Sequence, residues 1–337
     1  MSRSVLLIGD IAHCRPRWES FSSLASLKEF KTSREEFLSN CKSGKYDDVV
    51  AIYRSNASNK FTGNFDQELV SALPKSVKFI CHNGAGYDNI DVKACSDKGI
   101  LISSTPIAVN KATADIAIFL MLGALRFAYI PIKGIREHKW QGSGYQLGYD
   151  PEEKVLGILG MGGIGGEVAK RAKAFDMKVI YHNRHRLPAE KECGAEYVSF
   201  EELLAKSDVL SLNLSLSPST KHIISTEEFK KMKDGIVIIN TARGALIDED
   251  ALVKALDAGK VRSVGLDVYE DEPKVHDALL KNEKVMLLPH LGTGTWETQK
   301  KMEDLVLDNL KEALEKGKLI TPIPEQKNVY GEITSKI

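Results

Sequence analysis

The sequence predicts an α/β fold built from two doubly wound parallel sheets. Three observations predict it. The chain has 337 residues, more than one compact core holds, so two domains are expected. Short apolar runs alternate with helical patterns along nearly the whole length, as in parallel sheets covered by helices on both faces. One strand-to-helix junction is a glycine-rich turn, GILGMGGIGG.

Composition narrows the class. Apolar residues make up 43% and charged residues 27%, the ordinary balance of a soluble globular protein. Basic and acidic side chains number 46 each, so no electrostatic footprint for nucleic acid or an acidic membrane appears. Cys14, Cys41, Cys81, Cys95 and Cys193 are odd in number, scattered and without a CxxC pair. A reduced, cytoplasmic setting is expected rather than a disulfide framework. The start, MSRSVLLIGD, has too short an apolar run for a signal segment. No apolar run approaches the ~18 residues of a membrane helix. The final Ser335-Lys336-Ile337 resembles the peroxisomal SKL ending, with isoleucine for leucine. Such addresses tolerate few changes, so the cytoplasm is favoured.

In the first third the expected strands are Val5–Ile8, Val49–Tyr53, Val77–Cys81 and Ile100–Ser103. Helices are expected at Arg34–Cys41 and Asp66–Leu73, the first opened by a capping box of Ser33 and Glu36. A long apolar helix follows from Ala108 to Phe127, carrying Asp115 and Arg126 and therefore buried in protein rather than lipid. Residues 129–150 read as an arm or linker. The second block has strands at Val155–Leu159, Lys178–Tyr181, Val209–Leu212, Ile236–Asn240, Val264–Leu266 and Val285–Leu288. From Thr295 to Lys316 a last helix, with Met302, Leu305, Leu310 and Leu314 near helical spacing, returns to the first domain.

The glycine turn identifies the second block. Gly160, Gly162 and Gly165 form G-x-G-x-x-G between the strand VLGIL and a helix bearing Ile164, Val168, Ala172 and Phe175 on one face. That context marks a Rossmann dinucleotide site. Gly160 permits the tight turn, Gly162 lets backbone N–H groups approach a pyrophosphate, and Gly165 lets helix and strand pack closely. The helix N-terminus adds roughly half a positive charge. The candidate pyrophosphate residues are Gly160, Gly162, Gly163, Ile164 and Gly165.

Eighteen residues past Gly165, where NAD-binding chains carry a ribose-binding acid, stand Asn183 and Arg184. Asn183 removes the carboxylate that would repel a 2′-phosphate. Arg184, with Arg186 or His182, supplies a cation to meet it. NADPH is therefore expected over NADH. If Arg184 is only a solvated loop charge, both cofactors bind with little preference. His182 and His185 have no third ligand nearby, so no metal is expected.

Ligands in open parallel sheets sit beyond the carboxyl ends of the strands. Three strands there lead into Thr241-Ala242-Arg243, into Asp267 and the acids through Glu272, and into Pro289-His290. These residue types suit reduction of a small 2-keto acid. Arg243 can grip carboxylate and carbonyl oxygens with its planar fork. His290 titrates nearest neutral pH and can protonate the alkoxide. Glu272 on its other nitrogen would favour the imidazolium. Arg54, beyond VVAIY, is a candidate substrate contact. Trp140, in the arm, is a candidate for core packing or for reaching a substrate pocket. The long apolar helix and the arm suggest a homodimer.

NTARGALID, GLDVYEDEP, LLPHLGTG and HNGAGYDNID resemble the signature blocks of the D-isomer-specific 2-hydroxyacid dehydrogenases. The narrower likeness, carried by KDGIVIINTARGALID and IYHNRH, is to fungal glyoxylate and hydroxypyruvate reductases. The resemblance implies a cofactor domain at 107–292, inserted in a discontinuous flavodoxin-like substrate domain at 1–106 and 293–337. It puts the family's arginine on Arg243, its acid on Glu272 and its proton donor on His290. It implies that backbone N–H groups of Ala85 and Gly86 hold the substrate carboxylate. Thr241 and Asp267 fall at nicotinamide contacts, Ser215 near the cofactor, and Gly292 at a substrate-side backbone contact. Gly163 departs from the larger residue usual there and should loosen the turn. Asp115 stands for the usual glutamate.

Three rivals are open. Formate dehydrogenases share the scaffold, but carry an amide where Glu272 stands. Phosphoglycerate dehydrogenases often add a regulatory domain, whereas 47 residues follow His290 here. A corepressor similar to the C-terminal binding proteins would use the dinucleotide as a switch and turn over no substrate.

Overall fold

The computed structural model describes residues 3–140 and 145–327 and divides into two compact units. The first is Met1–Val109 with Thr295–Ile337, and the second is Asn110–Gly294. The tripeptide Ser335-Lys336-Ile337 lies outside the described residues.

The first unit holds β1 (Ser4–Ile8), β2 (Ser26–Phe30), β3 (Val49–Ser55), β4 (Phe79–Asn83) and β5 (Leu101–Ser103). Their order is β2-β1-β3-β4-β5, parallel throughout, which is the flavodoxin-like order. β2 was not expected. It is an edge strand, SLKEF, in which only Phe30 is buried, so it carries no apolar run to read. β4 runs two residues later than expected, because the strand continues through the buried polar pair His82 and Asn83. The helix Trp296–Lys316 starts on Thr295, whose side chain accepts the Thr298 N–H. It lays Val306, Leu307, Leu310 and Leu314 against Val5, Leu7, Ala51 and Tyr53 on one sheet face. Each such leucine contributes about 1.5–3 kcal/mol by leaving water. The Ser33 hydroxyl caps its helix by accepting from the Glu36 N–H, at 3.3 Å.

The second unit holds β6 (Val155–Leu159), β7 (Lys178–His182), β8 (Glu196–Tyr197), β9 (Val209–Leu212), β10 (Ile236–Asn240), β11 (Val261–Leu266) and β12 (Met286–Leu287). The order β12-β11-β10-β9-β6-β7-β8 is all parallel. This is the dinucleotide-binding arrangement with one strand added at the β12 edge. Two apolar clusters flank this sheet, and two flank the first.

The apolar helix spans Asn110–Leu125 and lies on the second sheet, with Leu120 tight against Gly265 and Gly123 against Met286. It ends earlier than expected because Phe127 takes a left-handed φ of 47°. A second helix, Tyr129–Arg136, then occupies part of the expected arm. Its Pro131 sits in the first turn, where a helix tolerates proline. Among the described residues, no single helix is long and apolar enough to cross a membrane.

Candidate active site

The parallel sheet of the second unit delivers its loops to one rim. β6 runs into Gly160, β7 into Asn183 and β9 into Asn213–Ser215. β10, β11 and β12 are neighbours in that order, and lead to Arg243, Asp267–Glu272 and His290. Three distant stretches of chain thus meet because their strands are adjacent.

Gly160 has φ +98°, and its N–H bonds to the His182 carbonyl at 3.0 Å. A side chain there would also press on the Asn213 backbone. A Cβ on Gly165 would overlap the Gly160 carbonyl, so helix Gly163–Lys173 packs as closely as the fingerprint requires. A Cβ on Gly162 would meet nothing within 4 Å. That open side is where a pyrophosphate can approach the N–H groups. At Gly163 the Asn110 side chain fills the space a Cβ would take. Ile164 is half-buried against the apolar cluster beneath.

Asn183 is tied to that turn. Its Oδ1 accepts the Met161 N–H at 2.6 Å, and its Nδ2 faces the Met161 carbonyl at 3.4 Å. His182 Nδ1 is 2.9 Å from the Val198 carbonyl, and Arg186 pairs with Glu192 at 2.7 Å. Arg184 is exposed and makes no side-chain hydrogen bond or ion pair among the described residues. Of the cations considered for a 2′-phosphate, it is the one left available. Among the described residues no cluster of three metal-ligating side chains occurs.

His290 sits in left-handed backbone, φ +57°, uncommon for a residue with a side chain. Asp267 holds it there. The Asp267 carbonyl accepts the His290 N–H at 2.8 Å. Its carboxylate, 1% exposed, accepts the N–H groups of Leu291 at 2.6 Å and Gly292 at 2.7 Å. Burial pushes the Asp267 carboxyl above its ordinary range, and those two bonds oppose the shift. The Gly292 N–H is therefore committed within the chain.

Glu272 Oε2 lies 2.9 Å from His290 Nδ1, while Oε1 accepts the Tyr269 N–H at 3.0 Å. The hydrogen bond from Glu272 raises the imidazole above its ordinary value, against desolvation and the charge of Arg243. Burial alone would raise the Glu272 carboxyl, but the bond and charge of His290 outweigh it and hold it low. Arg243 also lowers it, so all three groups share one field. Sequence reasoning missed how Arg243 is held. Asn240 Oδ1 accepts the Ala242 N–H at 3.0 Å and Nδ2 donates to the Arg243 carbonyl at 2.8 Å, an Asx turn that an asparagine closing a strand could have signalled. A Cβ on Gly244 would overlap the Tyr269 carbonyl, so the arginine turn lies directly on the acidic loop.

Two buried polar atoms near this rim, Thr241 Oγ1 and Asn213 Oδ1, have no hydrogen-bond partner among the described residues. Buried polar groups are normally satisfied, so both fit a polar ligand at the strand ends. With the open face at Gly162 they fit a dinucleotide. Ser215 is exposed, and its carbonyl accepts the Thr220 hydroxyl at 2.8 Å.

In the first unit, Ala85 and Gly86 form the loop after β4 and are partly exposed. Among the described residues, neither N–H has a hydrogen-bond partner. Arg54, a candidate substrate contact from the sequence, is fully buried beneath that loop. Trp140 is 76% exposed and not packed in a core. The five cysteines are free, and burial pushes the Cys81 thiol up to about 12.

Residues 118–292 match the family described as D-isomer specific 2-hydroxyacid dehydrogenase, NAD binding domain. The chain is 67% identical to 4-methyl-2-oxopentanoate reductase A of Aspergillus oryzae, over 97% of this chain and 99% of that protein. It is similar to the crystal structure of a glyoxylate reductase from Paecilomyes thermophila, with TM-score 0.95, 68% identity, and coverage of 97% and 99%. An NADPH-dependent glyoxylate/hydroxypyruvate reductase from Sinorhizobium meliloti, solved with NADP and malonate, matches at TM-score 0.84 and 29% identity, over 96% of this chain and 98% of that one.

Proposed function

This chain belongs to the D-isomer-specific 2-hydroxyacid dehydrogenase family, and on that premise we propose that it is an NADPH-preferring reductase of small 2-keto acids, glyoxylate and hydroxypyruvate among them. The products are the D-2-hydroxy acids, or glycolate from glyoxylate. The observation that carries the reading is the 2.9 Å contact of Glu272 with His290, on the loop beside Arg243.

The turn from Gly160 to Gly165 binds the pyrophosphate through backbone N–H groups. Arg184 meets the 2′-phosphate, and Asn183 adds no negative charge to repel it. Thr241 and Asp267 serve as the nicotinamide contacts, with Ser215 near the cofactor. The bound dinucleotide supplies a hydride to the carbonyl carbon. Arg243 holds the substrate oxygens in its fork. His290 gives its Nε2 proton to the carbonyl oxygen as negative charge develops there, and Glu272 stabilises the imidazolium before transfer. Ala85 and Gly86 hold the carboxylate. Gly292 belongs to the substrate side through its small size, since its N–H is donated to Asp267.

The relative named for 4-methyl-2-oxopentanoate supports a second reading within the same chemistry, a bulkier branched 2-keto acid. A cytoplasmic homodimer completes the proposal. The exposed Phe119, Tyr129, Ile132 and Ile135 supply apolar surface for it. The test is loss of reduced-nicotinamide absorbance with glyoxylate, hydroxypyruvate, pyruvate and 4-methyl-2-oxopentanoate, each run with NADPH and NADH.

A further inference from the structure

Arg54, next to last in β3, faces His82 on β4 in register, and both are fully buried. Arg54 Nη1 is 3.0 Å from His82 Nδ1 and 3.2 Å from Asn89 Oδ1, and Nη2 is 2.6 Å from Asn59 Oδ1. The guanidinium lies 4.9 Å over the Phe65 ring. The three hydrogen-bond partners are neutral, and the carboxylate of Asp88 adds an opposite charge that favours the cation. Burial lowers its pKa to about 10, so it stays charged at neutral pH. A fully buried cation is costly to desolvate, and an apolar residue would fold there more cheaply.

The cation fixes the tautomer beside it. A guanidinium only donates, so His82 Nδ1 must accept. The imidazole is then neutral with its proton on Nε2, which lies 3.1 Å from the Gly86 carbonyl. That carbonyl is therefore drawn inward. The Gly84 carbonyl is drawn inward too, by the Thr105 N–H at 2.9 Å. In a trans peptide the N–H points opposite the C=O. Ala85 and Tyr87 must then turn their N–H groups away from the core. Among the described residues the N–H groups of Ala85, Gly86 and Tyr87 have no partner. A Cβ on Gly84 would collide with His82 Nε2, so the loop leaves room for this imidazole.

We infer that Arg54 and His82 are positioning residues that shape the 84–87 loop into an anion-binding face, with the buried charge of Arg54 drawing the substrate carboxylate to it. This rests on the proposed role of Ala85 and Gly86. Neither side chain touches substrate; both act through the Gly86–Tyr87 peptide, which sets the course of the loop that carries the N–H groups of Ala85 and Gly86. The pair therefore governs binding of the carboxylate and leaves proton transfer at His290 alone.

The test uses the full-length enzyme with R54M, R54K and H82Q. Four quantities are measured: KM and kcat for glyoxylate, the inhibition constant of oxamate (an unreactive keto-acid analogue), NADPH affinity by fluorescence, and melting temperature. R54M and H82Q should raise KM and the oxamate constant together by about tenfold or more, as loss of a charge-assisted bond does. Their kcat should stay within about threefold, and NADPH affinity should hold. R54K, which keeps the charge, should recover most of the loss. Unchanged KM and oxamate binding in folded R54M or H82Q overturns the inference, as does R54K behaving like R54M. Where R54M does not fold, R54K and H82Q decide by the same two constants. Absence of wild-type turnover with glyoxylate, or with any keto acid in the panel, sinks the underlying reading instead, so the two failures are distinct.

Discussion

His290 Nδ1 lies 2.9 Å from Glu272 Oε2, and the contact sets the protonation of both groups. The glutamate raises the imidazole and the imidazole lowers the glutamate. Reduction needs the protonated imidazole, so kcat/KM should be level in acid and fall as pH rises through the His290 pKa. E272Q removes the largest cause of the raised value, and its descending limb should move to lower pH. A limb that stays where it is in the wild type denies Glu272 this role.

The same pair makes a stability statement with a definite sign. A raised His290 contributes fully below its unfolded value of about 6.5 and loses that contribution as pH climbs through its folded value. A lowered Glu272 contributes above about 4.3 and loses it as pH drops through its folded value. The pair therefore helps only between the two folded values. Both side chains are partly exposed, at 48% and 36%, so solvent keeps the effect small. Denaturant midpoints of wild type and E272Q, compared across that window and outside it, check this.

Cofactor choice should respond to Arg184 and Asn183 differently. R184A should weaken NADPH by about 10–100-fold, one charge-assisted contact, and leave NADH nearly unchanged. N183D should not convert the enzyme to NADH. A carboxylate there would face the Met161 carbonyl at 3.4 Å, where the amide now turns a donor, and so disturb the turn for both dinucleotides. Equilibrium binding of each cofactor to each variant tests both statements. Tight NADH binding by N183D would show that Asn183 does not anchor the turn.

Gly162 and Gly165 should separate binding from folding. G165A forces a methyl onto the Gly160 carbonyl, and should cost about 1–3 kcal/mol in stability. G162A meets nothing in the protein, so it should melt as the wild type does yet bind NADPH poorly. Calorimetry with and without NADPH distinguishes them. Normal NADPH binding by G162A contradicts a pyrophosphate at that face.

Much of this was legible because of burial on both sheet faces. β6, β9 and β10 read as largely apolar runs, and the chain just past each run lies on the rim. Arg243, Glu272 and His290, which follow β10, β11 and β12, were singled out by the same reasoning. β2 and β8 were not, since edge strands with polar residues carry no such run. The burial of Arg54, the anchoring of Asn183 to Met161 and the Asn110 side chain beside Gly163 all depend on close approach between distant segments. Periodicity along the chain holds no record of those approaches. Asp267 is the sharpest case: its place after β11 was evident, but its two bonds to the loop of His290 were not.

The most direct test is NADPH consumption with glyoxylate by wild type and H290Q, with NADPH binding measured in parallel. The account predicts turnover in the wild type, a fall of about 10²–10⁴-fold in H290Q, and equal NADPH affinity in both. NADPH bound by the wild type but consumed with no small 2-keto acid, or full activity in H290Q, would contradict it.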